Sequence, residues 1–167
     1  AMSVSVRYQY TPLSFTHVTI NDAFWSPRIE TNRTVTIGYD FQKSEETGRL
    51  RNFDKAAGRM AGDHEGIFFN DSDVFKIIEG AAYSLSLHPD PALDCYLDDL
   101  IERIAAAQEP DGYLYTARTI AERNGTPEKL RPDREGVTRW SHLRVNHELY
   151  NVGHLYEGAV AHYLATG

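Results

Sequence analysis

The segment from His147 to Tyr163 limits the choice of fold more than any other: His-Glu-Leu-Tyr-Asn-Val-Gly-His-Leu-Tyr-Glu-Gly-Ala-Val-Ala-His-Tyr. Leu149, Val152, Tyr156, Val160 and Tyr163 recur every three or four residues, which is the period of an α-helix. A second stripe carries His147, Asn151 and His154 and continues into Gly158 and Ala161. A helix with one apolar face and histidines above small residues on another is not a plain surface helix. The pattern predicts a helix buried on most sides, with its N-terminal end opening into a polar cavity.

The rest of the chain is consistent with one helical unit. A length of 167 residues is enough for one domain with a real core. The net charge of -7 argues against nucleic acid or an anionic membrane as the main partner. No apolar run of about 18 residues is present to span a bilayer. The first residues, Ala1-Met2-Ser3-Val4, lack the basic, apolar and small-residue order of a signal peptide, so the expected location is the cytoplasm. Cys95 is the one cysteine and has no internal disulfide partner, which fits a reducing compartment. Its place on an apolar-patterned helix predicts a small core or near-core residue. Ten Tyr, seven Phe and two Trp are many for this length; sugar-binding clefts use such rings, but composition alone favours an ordinary aromatic core.

Two textures divide the chain. Val4, Val6, Tyr8 and Tyr10, then Phe15, Val18 and Ile20, alternate as short strands do, so residues 1–27 read as an extended or β segment. From residue 28 the period is helical. A first helix is predicted over about 28–46 and stops near Gly48, and residues 49–69 read as a long loop. Val74, Ile77, Ile78, Ala81 and Leu85 mark a helix over most of 72–86, capped by Asn70 or Asp71. Asp90-Pro91 starts a helix over 92–107, with Asp90 as N-cap and Pro91 in the first turn. Pro110-Asp111-Gly112 marks a turn, and residues 117–140 are polar with a short helix near 117–124. The last helix runs from about 144 to Ala165. The expected class is therefore all-α, built of antiparallel helix pairs, with an extended N-terminal segment.

Four motifs, in order, carry a family resemblance. They are Asp22-Ala23-Phe24-Trp25; Phe69-Asn70-Asp71-Ser72-Asp73-Val74-Phe75-Lys76; Ala107-Gln108-Glu109-Pro110-Asp111-Gly112-Tyr113-Leu114; and His147-Glu148-Leu149-Tyr150 with Gly153-His154, Glu157 and Ala159-Val160-Ala161. Together they resemble the N-terminal part of glycoside hydrolase family 127, the β-L-arabinofuranosidase-like enzymes. The resemblance implies an (α/α)6 barrel and a retaining mechanism with a zinc-bound cysteine nucleophile and a glutamate acid/base. None of the nucleophile, acid/base or metal ligands maps onto these residues, so no catalytic residue and no metal ligand is expected within the chain, and zinc is implied for the full-length enzyme only. A twelve-helix barrel needs roughly 200 residues or more. Residues 28–167 therefore read as the N-terminal portion of such a barrel. Its incomplete faces imply self-association of the isolated chain.

The expected role of this portion is one wall of the substrate site. The resemblance places a sugar-contacting histidine at His147; the residue pattern alone allows a capping or core histidine there. Asp71 and Asp73 open a helix and serve either the sugar or the helix dipole. Gln108 lies in the loop leading back to the rim. Tyr113 either stacks on a sugar or packs that loop. His154 sits deeper and either reaches the ligand or bonds a neighbouring helix. Asp111 reads as a turn residue, and Glu148 and Glu157 as buried or interhelical partners. His147-Glu148 begins like the zinc motif H-E-x-x-H, but Asn151 occupies the position of the second histidine. The family pattern carries an apolar residue or Cys at that position. A different class of function, a non-catalytic carbohydrate-binding or helical interaction module, shares the same helix pairs. A solenoid scaffold would show a fixed repeat, and none is evident.

Overall fold

The computed structural model describes residues 10–126 and 138–167. The strand pattern at Val4, Val6 and Tyr8, and most of the polar stretch after Thr126, lie outside the described residues. Within them the secondary structure is helical, without strands. The alternation at 10–25 forms no ladder: Phe15–His17 is a 3-10 turn capped by Ser14, and Val18 is extended without a strand partner. Helix α1, Trp25–Thr31, passes through a π turn at Asn32–Thr36 into α2, Ile37–Glu46. Gly48 ends α2 in the left-handed region at φ 81°. A Cβ at Gly48 would also lie 2.8 Å from the Glu65 Cβ, so conformation and space both favour glycine here.

Residues 49–56 depart from the loop reading. They form α3, Arg49–Ala56, with Leu50, Phe53 and Ala56 buried at helical spacing. The charges between those residues mask the period in the sequence, and every one of them is paired. Arg51 and Lys55 bind Glu65 at 2.8 and 2.6 Å, Arg103 holds Asp54 at 2.7 Å, and Arg49 holds Asp73 at 2.8 Å. The hydrogen bonds from Arg51 and Lys55 hold the Glu65 carboxyl down near 2.

Helix α4, Asp71–Leu87, is central and packs against α2, α3 and α5. Helix α5, Pro91–Ala107, starts as expected: Asp90 Oδ1 accepts from the backbone N–H of Ala92 and Leu93, each at 3.1 Å. Phe41, Phe53, Phe75, Ile78, Leu85, Leu97, Leu100 and Ile104 form the core between these helices. Cys95 is exposed, which corrects the near-core reading; Leu97 and Leu100 turn inward instead. After the turn comes α6, Thr116–Arg123. The short α7, Leu143–Asn146, then leads into α8, Glu148–Thr166.

Helix α8 lies along α4. Its buried stripe is Glu148, Asn151, Gly158 and Ala161, so the polar and small residues face inward. The apolar face lies outward: Tyr156 is 63% and Tyr163 70% exposed, and Leu149 and Val160 are exposed as well. The two helices approach closely because Gly158 has no side chain. A Cβ there would sit 2.9 Å from the Phe75 carbonyl oxygen. Gly158→Ala is therefore expected to destabilise by about 1–2 kcal/mol, because the overpacking penalty exceeds the helix-propensity gain. A Cβ at Gly153 would meet nothing within 4 Å, and Gly153→Ala should gain about 0.5–1 kcal/mol. Urea unfolding of both variants tests this pair; a stabilised Gly158→Ala chain would contradict the close crossing.

Candidate functional site

The N-terminal ends of α4, α6 and α8 meet at one mouth, where side chains from one helix satisfy free backbone groups of another. Asn70 stands at the N-cap of α4, but its side chain donates to the Glu65 carbonyl oxygen instead. The cap is supplied by α8: Asn151 Oδ1 accepts from the Ser72 N–H at 2.9 Å. Asn151 is fully buried, so it is a cross-helix cap and does not line the mouth. Its Nδ2 has no hydrogen-bond partner among the described residues.

Asp71 caps α6 in the same way. Thr116 N–H donates to Oδ2 at 2.8 Å and the Thr116 hydroxyl to Oδ1 at 2.5 Å. Asp71 is 1% exposed, and burial raises its carboxyl to about 6 against the two hydrogen bonds. Both oxygens are engaged, so the geometry gives Asp71 a structural role and not a sugar contact. Asp73 stays partly exposed, paired with Arg49 at 2.8 Å and with Lys76 at 3.9 Å. Tyr115 hydroxyl donates to the Asn146 carbonyl oxygen at 2.6 Å and so fixes the turn before α8.

His147 occupies the N-cap of α8 in the left-handed region, φ 60°. Its ring stacks on Phe69, centroids 4.3 Å apart and 14° between planes, with Phe68 and Tyr150 edge-on to it. Nδ1 lies 2.5 Å from the Val145 carbonyl oxygen. A carbonyl can only accept, so Nδ1 is the donor, and the tautomer with its proton there leaves Nε2 as an acceptor. That atom can accept a hydrogen bond from a ligand hydroxyl.

The remaining expected site residues separate. Gln108 donates from Nε2 to the Gly112 carbonyl oxygen at 3.0 Å and closes the turn. Asp111 Oδ1 accepts from Tyr113 N–H at 3.1 Å, which is a turn role. Tyr113 is buried, and its hydroxyl donates to Glu148 Oε1 at 2.7 Å, so it packs the loop. Burial and that hydrogen bond push its phenol well above the usual value. His154 pairs with Glu157 at 2.9 Å and meets the Tyr150 ring edge-on. Glu157 is exposed and bonds within its own helix, which corrects its reading as a buried or interhelical partner. Glu148 is buried, as expected.

The sequence reading missed the aromatic rim. Phe68 and Phe69 flank His147, and Trp140 meets the Tyr113 ring edge-on with centroids 5.3 Å apart. Phe68 packs on the Tyr113–Tyr115–Ala117 cluster and joins the two groups. The available signals were an aromatic pair just before a helix start and one tryptophan in a polar loop.

These residues supply no zinc–thiolate centre. Cys95, the one cysteine, is exposed and belongs to no metal-ligand group among the described residues. Ligand atoms of Asp94, Asp98 and His162 do lie within 4.8 Å of one another. They border an open cavity of about 460 Å³ between α5 and α8. His162 is fifteen residues along from His147, about 22 Å at the rise of a helix, so this group has no part in the mouth.

Residues 17–167 match the family described as β-L-arabinofuranosidase, GH127 catalytic domain. The chain belongs to that family. It is 41% identical over 118 residues to a non-reducing end β-L-arabinofuranosidase of Bifidobacterium longum subsp. longum, covering 71% of this chain and 17% of that protein. Among solved structures, a GH127 β-arabinofuranosidase superposes with a TM-score of 0.78 at 48% identity, over 92% of this chain and 24% of the other. A GH127 β-L-arabinofuranosidase from Geobacillus stearothermophilus T6 gives 0.78 at 40% identity, over 89% and 22%. This GH127 chain thus spans between about a sixth and a quarter of the length of these relatives. Its helices are part of an (α/α)6 barrel. Family and relatives are glycoside hydrolases, for which a glycan is the substrate.

Proposed function

We propose that this GH127 chain forms part of the substrate-binding wall of a retaining hydrolase that releases L-arabinofuranose, or a closely related sugar, from β-linked glycans. The observation that carries the reading is His147. It stands at the mouth with Nδ1 anchored, its face stacked on Phe69 and Nε2 left to accept a sugar hydroxyl. The family match supplies the reaction class. Asp73, partly exposed on the first turn of α4, and His154, one to two turns into α8, are the other polar side chains of the proposed wall. The nucleophile, the acid/base and any zinc belong to residues outside this chain in this reading, and the enzyme acts in the cytoplasm.

The test compares two proteins on an aryl β-L-arabinofuranoside. An enzyme of the relatives' length carrying these residues should release L-arabinose. The 167-residue chain alone should not, and it should self-associate through the exposed apolar face of α8. Turnover by the isolated chain that survives Cys95→Ser would show that the chemistry has been misplaced.

A further inference from the structure

Trp140 holds a conformation that folding alone does not demand. It lies in the turn before α7 with φ 63°. A bulky side chain in the left-handed region is crowded by its own backbone, which glycine would avoid. The indole is also 46% exposed, so burial does not compensate that crowding. What holds the turn is Glu148. Trp140 N–H donates to both carboxylate oxygens, each at 3.1 Å, while the Tyr113 hydroxyl donates to Oε1 at 2.7 Å. The Tyr113 ring meets the indole edge-on, and the Arg139 guanidinium lies 4.1 Å from the Tyr113 centroid. Arg139 is itself tied to Glu109 and to Asp111. A fully buried carboxylate at the first residue of α8 thus fixes one exposed aromatic ring. Strain kept in this way is characteristic of ligand clamps.

We propose that Trp140 is a sugar-stacking platform of the mouth and that Glu148 is the positioning residue that sets it. This rests on the arabinofuranosidase reading above. The C–H face of a furanose ring is apolar and lies flat against an indole, while its hydroxyl edge stays free for acceptors such as His147 Nε2. Glu148 follows His147 in the chain, so the start of α8 fixes both the platform and the hydroxyl acceptor. Glu148 moves no proton in this scheme, because both its oxygens are held by Tyr113 and Trp140.

The experiment uses the full-length enzyme with an aryl β-L-arabinofuranoside, measuring KM, kcat and Tm. Trp140→Gly should raise KM roughly 10- to 100-fold with kcat within about threefold, the effect of losing one aromatic contact face. Its Tm should be no lower than the parent's, because glycine accepts this φ. Trp140→Phe should recover KM to within about threefold, because a ring is restored. Glu148→Gln should raise KM in the same direction. In the 167-residue chain carrying Trp25→Phe, it should also shift the emission of Trp140, by then the single indole. An unchanged KM in Trp140→Gly overturns the proposal, as does a fall in Tm without a KM effect. A wild-type enzyme inactive on every arabinofuranoside would sink the functional reading instead. The platform then stands or falls on whether another sugar quenches the Trp140 emission.

Discussion

Asp71→Ala is expected to cost about 3 kcal/mol, a large share of a typical domain's stability. The carboxylate is 1% exposed and accepts from both the backbone and the hydroxyl of Thr116, which is itself fully buried. Alanine leaves that N–H without a partner and opens a small void beside the start of α6. Asp71→Asn should behave differently. Its amide oxygen can take the Thr116 N–H, while its amide N–H donates to the Thr116 oxygen. The asparagine chain should therefore fold like the parent at low pH and separate from it as pH rises. The reason is the carboxyl's raised value, about 6 against an ordinary 3.8. The folded chain holds this proton more tightly than the unfolded chain. Its contribution is complete below about pH 4 and is lost as pH climbs through 6. Asparagine has no proton to lose, so Asp71→Asn should gain on the parent between about pH 4 and 7.

His64 acts in the opposite sense in the same window. Burial lowers its imidazole to about 4, so it stays neutral in the fold while an unfolded histidine takes up a proton near 6.5. Its contribution is present above about 6.5 and lost as pH falls toward 4. The parent should therefore show a shallow pH dependence between about 4 and 6, and Asp71→Asn a steeper one that rises with pH. Urea midpoints at three pH values decide the matter. A parent-to-asparagine difference that does not change with pH would mean that Asp71 titrates as an exposed acid.

The sequence identified helices well and neighbours poorly. Periodicity located α4, α5 and α8 because Val74 to Leu85, Leu93 to Ile104 and Leu149 to Tyr163 each repeat at helical spacing. It could not say which face of α8 meets α4, because a period states only which residues share a side. The answer depended on Gly158, whose missing side chain allows the close approach to the Phe75 carbonyl. Helix α3 was hidden because its apolar residues are few and its charges many, and those charges find partners on other elements. The mouth was only half legible for the same reason. Asp71 reads as a residue of its own helix start, but its partner Thr116 is 45 positions away. Asn151 reads as one of the polar stripe, but it caps a helix 79 positions away. His147 was legible because motif and helix start coincide in it. Trp140 was not, because nothing local announces its positive φ or its tie to Glu148.

His147 carries the other large effect, and its backbone conformation decides how to measure it. At φ 60° an alanine would be strained, so His147→Ala would mix a folding penalty with any loss of binding. His147→Gly accepts the conformation and removes only the ring. In the full-length enzyme it should lower kcat/KM by about 5- to 150-fold, the equivalent of about 1–3 kcal/mol for one or two hydrogen bonds to the sugar. Losing the ring also frees the Phe69 face, but Phe68 and Phe69 keep each other's edge contact, so the fold should hold. His147→Asn is the companion variant. Asparagine tolerates the left-handed region and offers a shorter acceptor, so its loss should be the smaller of the two. An unchanged kcat/KM in His147→Gly would make the residue structural. A fall in kcat beyond roughly 10⁴-fold with the fold intact would instead make it part of the proton-transfer machinery.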